Sequence, residues 1–184
     1  MLSYFSSWYN NNTTKNNDDT TDFTIGVAES VTAGALSNTL CSEPGSSKFF
    51  RGGIIAYSIE SKKLLLGIDV NYAELHNFTN ELTTNAMAKA AAEKFNARIG
   101  LATTGYSLPI KRDEIPGKCC ALDIDKPYTV ISLYDSKLDV YFVDKLSFEY
   151  FPEKPKRFQR ATVQSKTALR GKRMYQRYIK QLKA

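Results

Sequence analysis

Three short apolar segments of this chain end alike, each running into small hydroxyl-bearing residues: "VAESVTAG" at Val27–Gly34, "IIAYSIESKK" at Ile54–Lys63 and "LATTGYSLP" at Leu101–Pro109. Brief β-branched or apolar runs bounded by such residues read as buried strands, and each is followed by a turn or a helical pattern. A repeated order of strand, turn and helix demands neighbouring strands whose faces are covered by helices. In α/β sheets the carboxyl ends of parallel strands share one edge, where ligands usually bind. Ser30 with Thr32, Tyr57 and Ser58 with Lys62, and Thr104 with Gly105 are therefore expected to converge although distant in the chain.

The other elements fit this frame. Phe23–Glu29 reads as a buried strand, and a helix is expected from Thr32 to Cys41 with Thr or Ser near its N-cap. Pro44–Ser47 is turn chemistry, Gly52–Ser58 a strand, and Ile59–Leu66 a short helix stopped by Gly67. Thr79 is expected to cap a helix over Asn80–Phe95, with Glu81 suited to its first turn. Arg98–Gly105 reads as a strand entering a glycine turn. Tyr128–Asp135 and Leu138–Tyr150 alternate as an antiparallel hairpin joined at Asp135–Lys137, and Lys154–Leu182 reads as one long helix. The expected fold is α/β: a single-domain, three-layer α/β/α sandwich on a mixed sheet over residues 23–184. Residues 1–22, rich in Asn, Thr and Asp after a short aromatic patch, are expected to form a flexible extension.

Composition narrows the class. At 42% hydrophobic the 184-residue chain can build a sizeable core, and no apolar run approaches the ~20 residues of a membrane span. The N-terminal residues lack a basic-then-apolar pattern, and the three cysteines, Cys41 and the adjacent Cys119–Cys120, do not suggest a disulfide framework. A cytoplasmic protein without metal or cofactor and without membrane attachment is expected. The net charge of +6 is unevenly placed. Eleven of the 25 basic residues and none of the 19 acids lie from Lys154 onward, so the body carries −5 and the tail +11.

A serine attacks a carbonyl only if a neighbouring base takes its proton. His76 is the single histidine, so a desolvated lysine of lowered pKa is the available base. Helix N-termini at Thr32 and around Ser46 are expected to offer free N–H groups to a phosphate or an oxyanion. The plainer reading stands beside this one: a Ser or Thr after a strand is more often an N-cap than a nucleophile, and a Lys-Lys pair is usually solvated.

Taken together, the motifs resemble those of the CinA C-terminal domain family. The family's run is A-E-S-C-T-G-G, P-G-S-S, F-R-G-G-x-x-A-Y-S-N-x-x-K and x-L-L-G-V. This chain has Ala28-Glu29-Ser30-Val31-Thr32-Ala33-Gly34, Pro44-Gly45-Ser46-Ser47, Phe50-Arg51-Gly52-Gly53, Ala56-Tyr57-Ser58, Lys62 and Leu65-Leu66-Gly67-Ile68. The resemblance implies hydrolysis of the amide of nicotinamide mononucleotide to nicotinate mononucleotide and ammonia, without metal or cofactor, by a homo-oligomer. Carried over by position, Ser30 would be the nucleophile and Lys62 its base, with Tyr57 and Thr104 in support. Thr32, Gly45, Ser46, Ser47, Ser58, Gly105 and Arg160 would bind substrate, with Gly45, Ser46, Ser47 and Arg160 on the phosphate and ribose.

The chain departs from the pattern around that site. Ala33 replaces the first glycine after the nucleophile, Ile59 the asparagine of Y-S-N, and Leu108 a glycine of T-G-I-A-G-P. Lys156 stands for an arginine, and an insert spans Ile110–Asp125. The alternative reading is a catalytically silent relative used as a binding or structural protein. On the terminal helix Lys166, Arg170, Arg173, Arg177 and Lys180 form one stripe, with Ala161, Ala168, Tyr175 and Ile179 roughly opposite as the core face. A packed helix with a charged outer face is the favoured reading of that stripe; a footprint for nucleic acid or another acidic partner is the sharper one.

Overall fold

A computed structural model describes residues 21–69, 79–114 and 124–184. Residues 1–20 of the expected N-terminal extension, His76 and the Cys119–Cys120 pair lie outside the described residues; the extension's last two, Thr21 and Asp22, are in a 3-10 turn, with Asp22 paired to Arg98. In chain order the elements are β1 (Ile25–Glu29), α1 (Ala35–Cys41), β2 (Phe50–Ile55), α2 (Ile59–Leu66), α3 (Glu81–Lys94), β3 (Ile99–Tyr106), β4 (Tyr128–Asp135), β5 (Val140–Ser147) and α4 (Lys156–Leu182), with short 3-10 turns at Thr21–Phe23, Ser46–Lys48 and Arg112–Glu114.

The strands form one mixed sheet in the order β2-β1-β3-β4-β5. β1 is parallel to both β2 and β3, whereas β3–β4 and β4–β5 are antiparallel. The chain leaves β1 toward β2 on one side and returns to β3 on the other, so the strand order reverses at the carboxyl end of β1, a position that favours ligand crevices.

Helices cover both faces. Ile25 and Val27 point with Ile99, Leu101, Ile131 and Leu133 into a cluster closed by Leu36 and Leu40 of α1 and Ala168, Tyr175 and Tyr178 of α4. Ala28 and Ala102 point the other way, onto Met87, Ala88, Ala91 and Ala92 of α3 and Leu66 of α2. Gly26 and Gly100, paired across β1 and β3, let the alanine-rich α3 lie close on the sheet. A Cβ on Gly100 would stand 1.8 Å from the Ala88 carbonyl oxygen, and one on Gly26 2.6 Å from that of Ala91.

Local signals placed several boundaries well. α2 starts after Ser58, whose hydroxyl accepts from the Ser61 N–H in a capping box, and ends at the left-handed Gly67. Three expectations are corrected. α1 begins at Ala35, and its N-cap is Gly34 at φ 99° with no side-chain cap of its own, instead of Thr32 or a serine. Asn80, not Thr79, caps α3 by accepting from the Thr83 N–H, while the Thr79 and Tyr128 hydroxyls share a hydrogen bond of 2.5 Å. On α4 Ala168 and Tyr175 are buried as expected, but Ala161 is exposed; the buried face is turned toward Gln159, Val163, Thr167, Gly171 and Tyr178. Within the basic stripe, Arg170 pairs with Asp144, and Lys166, Arg173, Arg177 and Lys180 are exposed.

Candidate active site

β1, β2 and β3 deliver their following residues to one edge, as parallel neighbours must. A cavity of about 160 Å³ opens there, lined by Ser30 and Val31 after β1, Tyr57, Ile59 and Lys62 after β2, and Gly105, Tyr106 and Ser107 at the end of β3, with Thr79 and Arg160 completing it.

Its central contact joins residues 32 positions apart: the Lys62 ammonium donates to Ser30 Oγ at 3.1 Å. Ser58 caps α2 and fixes its first turn, and Lys62, four positions on, projects back toward the strand ends. Its Nζ also donates to the carbonyls of Ala56 at 3.0 Å and Tyr57 at 3.4 Å. These partners are neutral oxygens, and Lys62 is only 4% exposed. Burial without a counter-charge disfavours the ammonium, pulling the Lys62 pKa down from the ordinary 10.5 to about 8. Lys63, its neighbour, is exposed, as adjacent helical residues face apart.

Arg160, in the first turns of α4, donates to the Tyr57 hydroxyl at 2.7 Å and brings a permanent positive charge to the cavity. No carboxylate lines the cavity among the described residues. Two cationic side chains without an acid suit an anionic ligand. Gly105 has φ 137°, and a Cβ there would lie 2.2 Å from the Tyr128 carbonyl oxygen, so glycine is required at this wall.

Among the residues anticipated from sequence, Ser30, Tyr57, Lys62, Gly105 and Arg160 meet at the cavity. Thr32 and Thr104 do not line it but are buried, their hydroxyls bonded to those of Thr103 at 2.6 Å and Thr84 at 2.7 Å. Ser58 is exposed and serves as the α2 cap. Gly45, Ser46 and Ser47 do not line the cavity. They precede β2, whose start lies beside the start of β1, where the Ile25 N–H donates to the Phe49 carbonyl. A six-residue strand places them roughly 16 Å from the Tyr57 end.

The expected free amides at the start of α1 are not free, because the Glu29 carboxylate accepts from the Gly34, Leu36 and Ser37 N–H groups. The Ser46 N–H likewise donates to the Glu43 carbonyl. Of the departures from the family pattern, Ile59 lines the cavity and Leu108 does not, while Ala33 adopts the left-handed φ of 49°.

Val31, Ile59, Thr79, Tyr106 and Ser107 join the cavity without having been singled out as site residues. Val31 and Ile59 adjoin residues that were. Thr79 carries only the signal of a helix cap, and its place depends on a contact with Tyr128.

Fold and site together define an α/β domain with a buried serine–lysine pair at the switch point of a mixed sheet. The model of the CinA C-terminal domain matches residues 11–121, and the chain belongs to that family. A competence-damage inducible protein of Streptococcus pyogenes serotype M5 is 35% identical over 130 residues, which are 68% of this chain and 31% of the relative. A CinA-like protein of Mycobacterium marinum is 42% identical over 88 residues, 48% of this chain and 21% of the relative. The chain thus spans about a third or less of the curated relatives it matches.

Among solved structures, a CinA superfamily protein of Klebsiella pneumoniae 700603 superposes with a TM-score of 0.64 at 17% identity, covering 85% of this chain and 89% of that one. A competence/damage inducible protein of Agrobacterium tumefaciens gives 0.60 at 22% identity, covering 86% and 89%. At these identities the likeness concerns the fold. No helix among the described residues is long and apolar enough to cross a membrane.

Proposed function

We propose that this domain is an amidohydrolase of the nicotinamide-mononucleotide deamidase type, cleaving an aromatic carboxamide to the carboxylate and ammonia with Ser30 as nucleophile and Lys62 as base. The observation that carries the reading is the buried contact of 3.1 Å between Lys62 Nζ and Ser30 Oγ, with the lysine pKa near 8. Near neutral pH a fraction of Lys62 is a free amine able to accept the Ser30 proton. Ser30 Oγ then bonds to the amide carbon, and Lys62 returns the proton to the departing nitrogen, which leaves as ammonia. Water, deprotonated by the same amine, attacks the resulting ester; Ser30 recovers its proton and the carboxylate departs.

The cavity is smaller than the ~300–1,000 Å³ of typical small-molecule sites, so it is suited to the amide-bearing ring, with the rest of a nucleotide outside. Arg160 is the cation placed to meet an anionic group of that remainder. Ammonia release from nicotinamide mononucleotide by the purified chain tests the proposal. Ser30→Ala and Lys62→Met are each expected to abolish the release, and an unaffected Ser30→Ala would remove the serine–lysine mechanism.

A catalytically silent domain is the second reading, favoured by Ile59, which sets an apolar side chain in the wall where the family pattern carries an amide. No release from this or related amides at high protein concentration would decide for it.

A further inference from the structure

The residue before the candidate nucleophile performs a task that its place in the motif does not announce. Glu29 ends β1 and is 0% exposed. Oε2 accepts from the Gly34 N–H at 2.9 Å and the Leu36 N–H at 3.0 Å, and Oε1 from the Ser37 N–H at 2.7 Å and the Ser37 hydroxyl at 2.5 Å. A carboxylate withdrawn from water is costly unless its lone pairs are met. Here four donors meet them, all from the start of α1.

An ordinary N-cap would be a Ser, Thr, Asp or Asn at the position of Gly34. This chain places a left-handed glycine there and takes its cap from a strand residue instead. The cap therefore ties β1 to α1 across the intervening loop, which begins with Ser30. The loop is also tied to β3: the Ser30 N–H donates to the Thr103 carbonyl at 2.9 Å, and the Thr32 and Thr103 hydroxyls are bonded. Within and just after it, Ala33 at φ 49° and Gly34 at φ 99° hold conformations that persist when their surroundings impose them.

We infer that Glu29 is a positioning residue for the nucleophile: its carboxylate clamps the start of α1 to the end of β1 and so fixes the loop that presents the Ser30 hydroxyl to Lys62. The inference rests on the amidohydrolase reading above. Glu29 does not line the cavity and acts only through the loop.

The test compares Glu29→Gln and Ser37→Ala with the wild-type chain, using ammonia release for kinetics and amide hydrogen exchange for the clamp. Glutamine keeps the volume but turns an NH₂ toward backbone donors. Because a displacement of about 1 Å in a reacting group can cost on the order of a hundredfold, kcat of the folded Glu29→Gln protein is expected to fall about a hundredfold. KM is expected to change less than about twofold, since substrate contacts are kept. The pH profile should keep its shape, because burial of Lys62, and not its contact with Ser30, lowers its pKa. Exchange should accelerate at Gly34, Leu36 and Ser37 while the amides of β3 and β4 stay protected.

Ser37→Ala removes one donor without touching the backbone, and its kcat is expected to fall severalfold. Should Glu29→Gln fail to fold, this milder variant decides. Wild-type kcat in the folded variants would overturn the inference and leave the amidohydrolase reading standing. A silent wild-type protein would sink that reading, and this inference with it.

Discussion

Replacing Lys62 by methionine tests whether the lysine is a buried amine or an ordinary surface cation. The folded protein holds Lys62 at a pKa of about 8, against 10.5 for the unfolded chain. Between those values the unfolded chain binds more protons, so raising the pH stabilises the fold across that window. At neutral pH the buried ammonium destabilises the protein by on the order of 3 kcal/mol relative to an unperturbed lysine. Bringing the pH from 7 to 9.5 recovers about 2 kcal/mol of this, because by then Lys62 is neutral in the fold and still largely charged in the unfolded chain.

Methionine has no charge and nearly the same length, so the Lys62→Met protein lacks this pH-dependent term. It gives up three hydrogen bonds, to Ser30 Oγ, Ala56 O and Tyr57 O, each worth about 1 kcal/mol, a loss that hardly changes with pH. The assay is urea unfolding of both proteins at pH 7 and 9.5. Wild type is expected to gain about 2 kcal/mol on the variant as the pH rises; titrating tyrosines cancel in the difference. A difference that stays constant across that range would refute the buried-amine argument and with it the basis for Lys62 as base. In the active enzyme the same ionisation is expected to raise kcat/KM about tenfold between pH 7 and 9, as the free-amine fraction grows.

Ala33 occupies a left-handed conformation that costs an alanine roughly 1–2 kcal/mol. Ala33→Gly is expected to stabilise the fold by about 1 kcal/mol, the gain being reduced by glycine's larger unfolded-state entropy; unchanged or lower stability in the same unfolding assay would contradict it. At the opposite extreme, Gly100→Ala drives a methyl to 1.8 Å from the Ala88 carbonyl oxygen. It should destabilise by about 3 kcal/mol or prevent folding, and a variant melting within a few degrees of wild type would show that α3 can retreat from the sheet.

The parts of the molecule legible in the sequence are those whose causes are local. α2 could be bounded closely because its cap, Ser58, and its stop, Gly67, are sequence neighbours of the helix. The convergence of Ser30 and Lys62 followed from topology alone, since parallel strands share a carboxyl edge. The start of α1 is not legible in the sequence, because its cap comes from Glu29, a strand residue whose reach across the loop leaves no local signature. Thr79 beside Asn80 offered two capping side chains, and a distant tyrosine at position 128 decided which was used. The buried face of α4 is only partly legible, in Ala168 and Tyr175, because it also uses Gln159, Thr167 and Gly171, which a hydrophobic pattern scores as polar or neutral. Val31 and Tyr106 line the cavity beside Ser30 and Gly105, which the sequence singles out, whereas no local signal marks Ser107.

The central claim, that the serine and lysine joined at the edge of this sheet hydrolyse an amide, is tested most directly by ammonia release from nicotinamide mononucleotide. Steady release by the wild-type chain, lost in both Ser30→Ala and Lys62→Met, is the predicted result. Release that persists in folded Ser30→Ala protein, or no release by the wild type, would contradict it.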